Sequence, residues 1–152
     1  MPATRSTDAS EAWRALLMAF TGVHGELAAE LEDECGLPIE HYEILLMLYE
    51  AGRDGMRPSD IASRRRLSRS GATRLLDRLE QDGLVERHSY AEDRRGNVVS
   101  LSTSGKRTFA KAGRIHLDGI ERHVASALTT RDLQDLRRIL PKLAIRTESD
   151  SE

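Results

Sequence analysis

Residues 67–87, LSRSGATRLLDRLEQDGLVER, constrain this chain more than any other stretch. Ala72, Leu75, Leu76 and Leu79 recur there at three- and four-residue spacing. That spacing lines one face of a helix with apolar groups. Ser68 stands just before the run, where a hydroxyl caps free backbone amides. Gly83 stands just after it, where a glycine takes the left-handed conformation that ends a helix. A β-prone run then extends from Val85 to Tyr90 and a second from Val98 to Leu101, with Gly96-Asn97 supplying turn chemistry between them. Upstream, Pro58 suits the first position of another helix. Asp60 falls in that helix's first turn, against the positive end of its dipole. Ile61 and Ala62 supply its inward face, and Leu67 is expected to pack across the turn that follows.

The order is a short helix, a tight turn, a longer helix and a two-stranded hairpin. This is a winged helix-turn-helix over residues 57–101, a unit shaped to put one helix in a DNA groove and a basic loop beside it. The exposed face of the longer helix carries Arg69, Ser70, Gly71, Thr73, Arg74 and Arg78 behind the capping Ser68. Arginine pairs bidentately with guanine in the major groove, and threonine offers a hydroxyl or a methyl. The N-terminal amides suit a phosphate. The hairpin tip, Glu92-Asp93-Arg94-Arg95-Gly96, points two arginines outward, with Asp93 placed to orient Arg95. A narrow minor groove attracts such arginines. A solvated charge run accounts for any one of these arginines. It does not account for the ordered set of cap, turn, glycine stop and hairpin.

The net charge of −2 looks wrong for a DNA binder until it is divided along the chain. Residues 1–56 hold three arginines against eleven acidic residues, a net −8. Residues 57–107 hold twelve basic against seven acidic residues, a net +5, and residues 108–152 are near neutral at +1. The basic excess therefore coincides with the groove-facing elements. The single cysteine, Cys35, excludes a disulfide within one chain. The first residues, MPATRSTDASEAW, lack the apolar core of a signal peptide. No apolar run approaches the ~18–20 residues of a membrane span. A cytoplasmic protein without a membrane partner is expected.

Trp13, Leu16, Leu17, Phe20, Val23, Leu27 and Leu31 fall at helical spacing over residues 10–34, with Ser10 as the expected cap and Gly36 and Pro38 as the stop. His41 to Ala51 is apolar around most of its circumference and reads as a buried central helix. A long helix begins at Ser102 or Thr103 and runs to a break at Leu128-Thr129-Thr130. Thr129 with Asp132 then starts a last helix, near whose end Pro141 introduces a distortion. The flanking stretches 10–34 and 103–145 carry more apolar surface than the small winged unit can cover. Either they complete a monomer core, or they pack together and onto a second copy. A two-fold dimer would present two recognition helices about one DNA turn (~34 Å) apart. The expectation is one domain over 1–152, mainly α with a small β-hairpin wing.

The runs LSRSGATRLLDRLEQDGLVER at 67–87 and DRRGNVVSLSTSGK at 93–106 together resemble the MarR family of transcriptional regulators. WRALL at 13–17 and LPIEHYEILLMLYEA at 37–51 are similar to that family's first two helices, so the resemblance covers most of the chain. It implies a homodimer on double-stranded DNA, acting as a repressor at a palindromic operator. It implies that Ser70, Gly71, Thr73 and Arg74 face bases or nearby phosphates, that Arg95 enters the minor groove and that Asp93 partners it. Gly71 departs from members with a polar side chain there, and a glycine reads no base by its side chain. The resemblance also implies a small aromatic or anionic effector, held near Trp13, Leu17, Phe20, His41, Tyr42, Leu45 and His116. Core packing is the simpler reading of each of those residues.

Other classes leave weaker marks. No Gly-rich phosphate loop, nucleophile elbow, metal motif or paired carboxylates point to an enzyme or to a cofactor. His24, His41, His88, His116 and His123 contain no pair at the spacing that sets two ligands on one helical turn. Cys35 as a redox switch is disfavoured by Glu30, Glu32, Asp33 and Glu34 beside it, since negative neighbours suppress a thiolate. A winged helix used only to bind protein is the remaining alternative, and it would tolerate loss of Arg74 and Arg95.

Overall fold

A computed structural model describes residues 6–89 and 97–143. Six helices and a hairpin follow in the order α1 (Ser6–Cys35), α2 (Ile39–Ala51), α3 (Pro58–Arg64), α4 (Arg69–Gln81), β1 (Val85–Ser89), β2 (Asn97–Leu101), α5 (Thr103–His123) and α6 (Thr130–Ile139). This is the expected mainly helical chain with a small hairpin. No helix among the described residues is long and apolar enough to cross a membrane.

α2 is the central helix. Its Ile39, Tyr42, Ile44, Leu45 and Leu48 are buried. Around them close Leu27 and Leu31 of α1, Ile61 of α3, Leu76 and Leu79 of α4, Val85 and Val99 of the hairpin, and Ala112 and Ile115 of α5. Burial on this scale supplies the main favourable contribution to folding.

Two helix boundaries differ from expectation. α1 already includes Ser6, the first described residue, so Ser10 lies inside the helix and is not its cap. Nothing in DASEAW breaks a helix, and a polar residue caps only where a helix has another reason to start. At the other end Gly36 takes φ +63° and its N–H donates to the Glu32 carbonyl, as a left-handed stop requires. α5 ends at His123 rather than near Leu128, and a 3-10 turn over Ala125–Ala127 precedes α6. The Thr129–Asp132 capping box forms as read, with the Asp132 N–H donating to Thr129 Oγ1 at 3.2 Å. After α6 a 3-10 turn over Leu140–Leu143 contains Pro141.

The hairpin is antiparallel, with Val85 opposite Leu101, Arg87 opposite Val99 and Ser89 opposite Asn97. A two-stranded ribbon is marginal alone. Here the free edge of β2 is covered by Met56, whose N–H donates to the Val99 carbonyl at 2.9 Å and whose carbonyl accepts from the Val99 N–H at 2.8 Å. Gly55 makes this approach feasible. It takes φ +63°, and a Cβ there would lie 2.4 Å from the Val99 oxygen.

The start of α5 is joined to the turn between α4 and β1. Ser102 Oγ accepts from the Gly105 N–H at 2.8 Å and donates to the Gly83 carbonyl at 2.6 Å. A Cβ on Gly105 would lie 1.9 Å from the Leu84 oxygen. Farther along, Gly119 lets α5 close on α1 beside Leu27 and Glu30. There Glu30 meets Arg122 at 2.9 Å and His123 at 2.7 Å.

Candidate nucleic-acid interface

The sequence-level signals for α3 and α4 are found in place. Pro58 opens α3. Ser68 caps α4, its Oγ accepting from the Gly71 N–H at 3.1 Å. Gly83 at φ +71° and Leu84 close α4 by donating to the Glu80 and Leu79 carbonyls, both at 2.9 Å. That bond pair is the Schellman exit, and buried Leu79 and Leu84 supply its apolar contact. α3 ends the same way, with Arg66 and Leu67 donating to Ser63 and Ala62. Arg66 thus holds the left-handed position, φ +52°, that a glycine usually fills.

One expectation fails at this turn. Leu67 remains 37% exposed and does not pack into the core. Its N–H is committed to capping α3, which places the residue over the helix end.

α4 buries Ala72, Leu76 and Leu79. Its opposite face presents Arg69, Ser70, Thr73, Arg74 and Arg78, all exposed, with Gly71 half-buried beside them. Ser70 Oγ lies 3.2 Å from Ser68 Oγ. The Thr73 hydroxyl donates to the Arg69 carbonyl at 2.9 Å, so its proton is used within the helix. Arg78 pairs with Asp82 at 3.2 Å, one turn on. Arg69 and Arg74 have no ion-pair partner among the described residues. The tip residues Asp93, Arg94 and Arg95 lie outside the described residues.

The ion pairs of Arg65 and Arg87 were not anticipated from the sequence. Arg65 pairs with Glu43 and ties the end of α3 to α2. Arg87 of β1 pairs with Asp77 at 2.5 Å and reaches Glu80 at 3.4 Å, both on α4. The available signal was that Asp77 and Glu80, three apart, are the acidic residues of a helix whose other charges are all arginine.

Of the seven residues of the expected effector region, Tyr42 and Leu45 lie in one core cluster and His116 packs on Tyr42. Tyr42 and His116 meet, their ring centres 4.7 Å apart, and Phe109 stacks on Tyr42 at 5.7 Å. Burial pushes the His116 imidazole below its usual range and the Tyr42 phenol above its own. Leu45 is fully buried in the core. His41 is set against the far end of α4, where burial lowers its affinity for a proton while Asp82 opposes that effect. Trp13, Leu17 and Phe20 are exposed along α1 at 62%, 48% and 62%. A shallow pocket of about 140 Å³ lies elsewhere, lined by Leu48, Tyr49, Gly52, Arg53, Leu101 and Lys106. Cys35 is half-buried, its thiol donating to the Leu31 carbonyl at 3.1 Å.

A capped arginine-faced helix, a short helix across its start and a β-hairpin beside it define a winged helix-turn-helix protein. The model of the MarR family matches residues 36–96. The chain is 31% identical to AbsC, a MarR family transcriptional regulator from Streptomyces coelicolor. That similarity covers 94% of this chain and 95% of AbsC, with a TM-score of 0.80. Sco3205, a MarR family transcriptional regulator from the same organism solved in complex with DNA, is 25% identical. It covers 94% of this chain and 89% of its own, with a TM-score of 0.81. The HTH-type transcriptional repressor YetL of Bacillus subtilis is 35% identical over 71 residues, 47% of this chain and 42% of YetL, so this match spans less than half of that protein. The chain belongs to the MarR family.

Proposed function

We propose that this protein is a sequence-specific DNA-binding transcriptional regulator. In this reading it is a cytoplasmic repressor that binds a palindromic operator as a homodimer. The observation that carries the proposal is the outer face of α4, where Ser68, Arg69, Ser70, Thr73 and Arg74 stand exposed at and near the helix N-terminus. In helix-turn-helix proteins this end of the recognition helix reaches base edges. Arg69 and Arg74 serve as the base or phosphate contacts, Arg78 as a flanking phosphate contact, and Arg94 and Arg95, with Asp93, as the minor-groove element. Gly71 leaves its position without side-chain readout. The DNA bound by Sco3205 and the repressor role of YetL support the same class of partner and action.

The dimer rests on apolar surface. Trp13, Leu17, Met18 and Phe20 on α1 are exposed, as are Leu136, Ile139, Leu140 and Leu143 at the C-terminal end. Exposed apolar patches of this kind mark association sites. Residues 57–101 act as the reading unit, with 10–34 and 103–145 as the association region. A small aromatic or anionic effector would release the operator by favouring one spacing of the two winged units over another. Its site in this reading lies beside Tyr42 and His116, where His116 Nδ1 is buried without a hydrogen bond among the described residues.

Selection from random duplexes, followed by sequencing, tests the proposal. Recovery of a two-fold-symmetric site with half-sites about one turn apart is expected. No enrichment at low salt from folded protein would favour a winged helix that binds protein instead.

A further inference from the structure

Resting on that reading, we infer that Arg87 is a positioning residue that sets the angle between the recognition helix and the wing. A helix and a hairpin engage one duplex together only if their relative orientation is fixed. The hairpin is anchored unevenly. β2 is bonded on its outer edge to Met56, whereas β1 has no strand on its own outer edge among the described residues. The covalent link from α4 to β1 is only the turn at Asp82, Gly83 and Leu84. Val85, at the foot of β1, is in the core. Two residues on, the same face of the strand carries Arg87 opposite Val99. A hydrophobic residue would continue the core there; the chain instead places a guanidinium.

That guanidinium bridges one turn of α4. One terminal nitrogen donates to Asp77 Oδ1 at 2.5 Å and the other lies 3.4 Å from Glu80 Oε2. Residues three apart share a helix face, so the two carboxylates form a fork one turn wide. A planar guanidinium spans such a fork, and a lysine ammonium is a single point charge. The Arg87 side chain is 32% exposed and those of its partners 44% and 42%, so each pair by itself contributes little to stability. The value of the clamp is geometric: two contacts to one helix turn restrict both rocking and sliding of β1. It also neutralises two carboxylates on a helix that must approach phosphates.

The full chain, with an operator from the selection above, provides the test. Arg87→Gln should bind that operator about tenfold more weakly, which corresponds to 1.4 kcal/mol. Minor-groove protection from hydroxyl radical should fade at the site flanks while guanine N7 protection in the major groove persists. Asp77→Asn/Glu80→Gln in the Arg87→Gln background removes the stranded charges and should not restore affinity. The charge exchange Asp77→Arg/Arg87→Asp should recover most of it. In free protein, Arg87→Gln should speed amide exchange in β1 but not in α2. Unchanged affinity and footprint, uniform loss of both protections, or full rescue by the neutral variant would each overturn the positioning role. If the wild type binds no duplex, the DNA reading fails by itself, and the exchange of β1 still decides whether the clamp exists.

Discussion

Arg74 is proposed to read DNA, whereas Arg66 bears on the fold itself. Arg74 is exposed and has no ion-pair partner among the described residues. Arg74→Ala should therefore leave thermal stability nearly unchanged while relaxing base preference by ~1–3 kcal/mol at one position of each half-site. Binding to a panel of single-base operator variants measures this, and an unaltered preference would remove Arg74 from the base-contacting set. Arg66 holds φ +52° at the α3 exit. A side chain in the left-handed region costs roughly 1–2 kcal/mol. Arg66→Gly should raise stability by about 1 kcal/mol in urea unfolding, less the entropy a glycine adds to the unfolded chain. A fall in stability would show that the arginine side chain makes contacts outweighing its backbone strain.

Elements in this fold are held by close approaches as much as by burial. The start of α5 rests on the turn between α4 and β1 through Ser102 and the absent side chain of Gly105. A Cβ at Gly105 would lie 1.9 Å from a backbone oxygen, which cannot give way as the end of a flexible side chain can. Gly105→Ala should destabilise the protein by about 4 kcal/mol or more, in the range reserved for severe core and backbone disruptions. Gly113→Ala, on the same helix with open space around it, is the control and should be neutral or slightly stabilising. Equal unfolding midpoints for the two variants would contradict the packing described.

For the molecule as a whole, the closure of α5 on α1 carries a pH dependence. Arg122, and after it His123, hold the Glu30 carboxyl below its usual range. A carboxyl with a depressed folded value contributes stability above the ordinary value of 4.5, and that contribution is lost as pH falls through the folded value. Glu30→Gln should flatten the acid limb of the stability profile below about pH 4.5. Identical acid limbs in the two proteins would show that the pairing does not influence folding. The proposed association into a dimer is testable at this scale too. Trp13→Glu/Phe20→Glu puts charge on the exposed stripe of α1 and should yield monomers in sedimentation equilibrium. Operator affinity should then drop about 100-fold through loss of bivalency. A variant that stays dimeric with full affinity would place the interface elsewhere.

Caps, stops and apolar spacing were legible in the sequence because they act between residues a few positions apart. Ser68, Thr129 with Asp132, Gly36 and Gly83 each do locally what their residue type favours. The outward face of α4 followed from its inward one by helical geometry alone. Ser10 misled because a capping residue marks a helix start only when nothing upstream continues the helix. Leu67 misled because its exposure depends on how α3 exits, which is set by the φ of Arg66. The contacts between Gly55 and Val99, Gly105 and Leu84, Glu30 and Arg122, and Arg87 and Asp77 join residues that chain periodicity does not relate. Their existence depends on the distances and angles at which packed elements cross, and those follow from the joint packing of α2 with every layer around it. The meeting of Tyr42 and His116 has the same cause. Periodicity assigns each to a helix, but only the packing of those helices sets which faces meet.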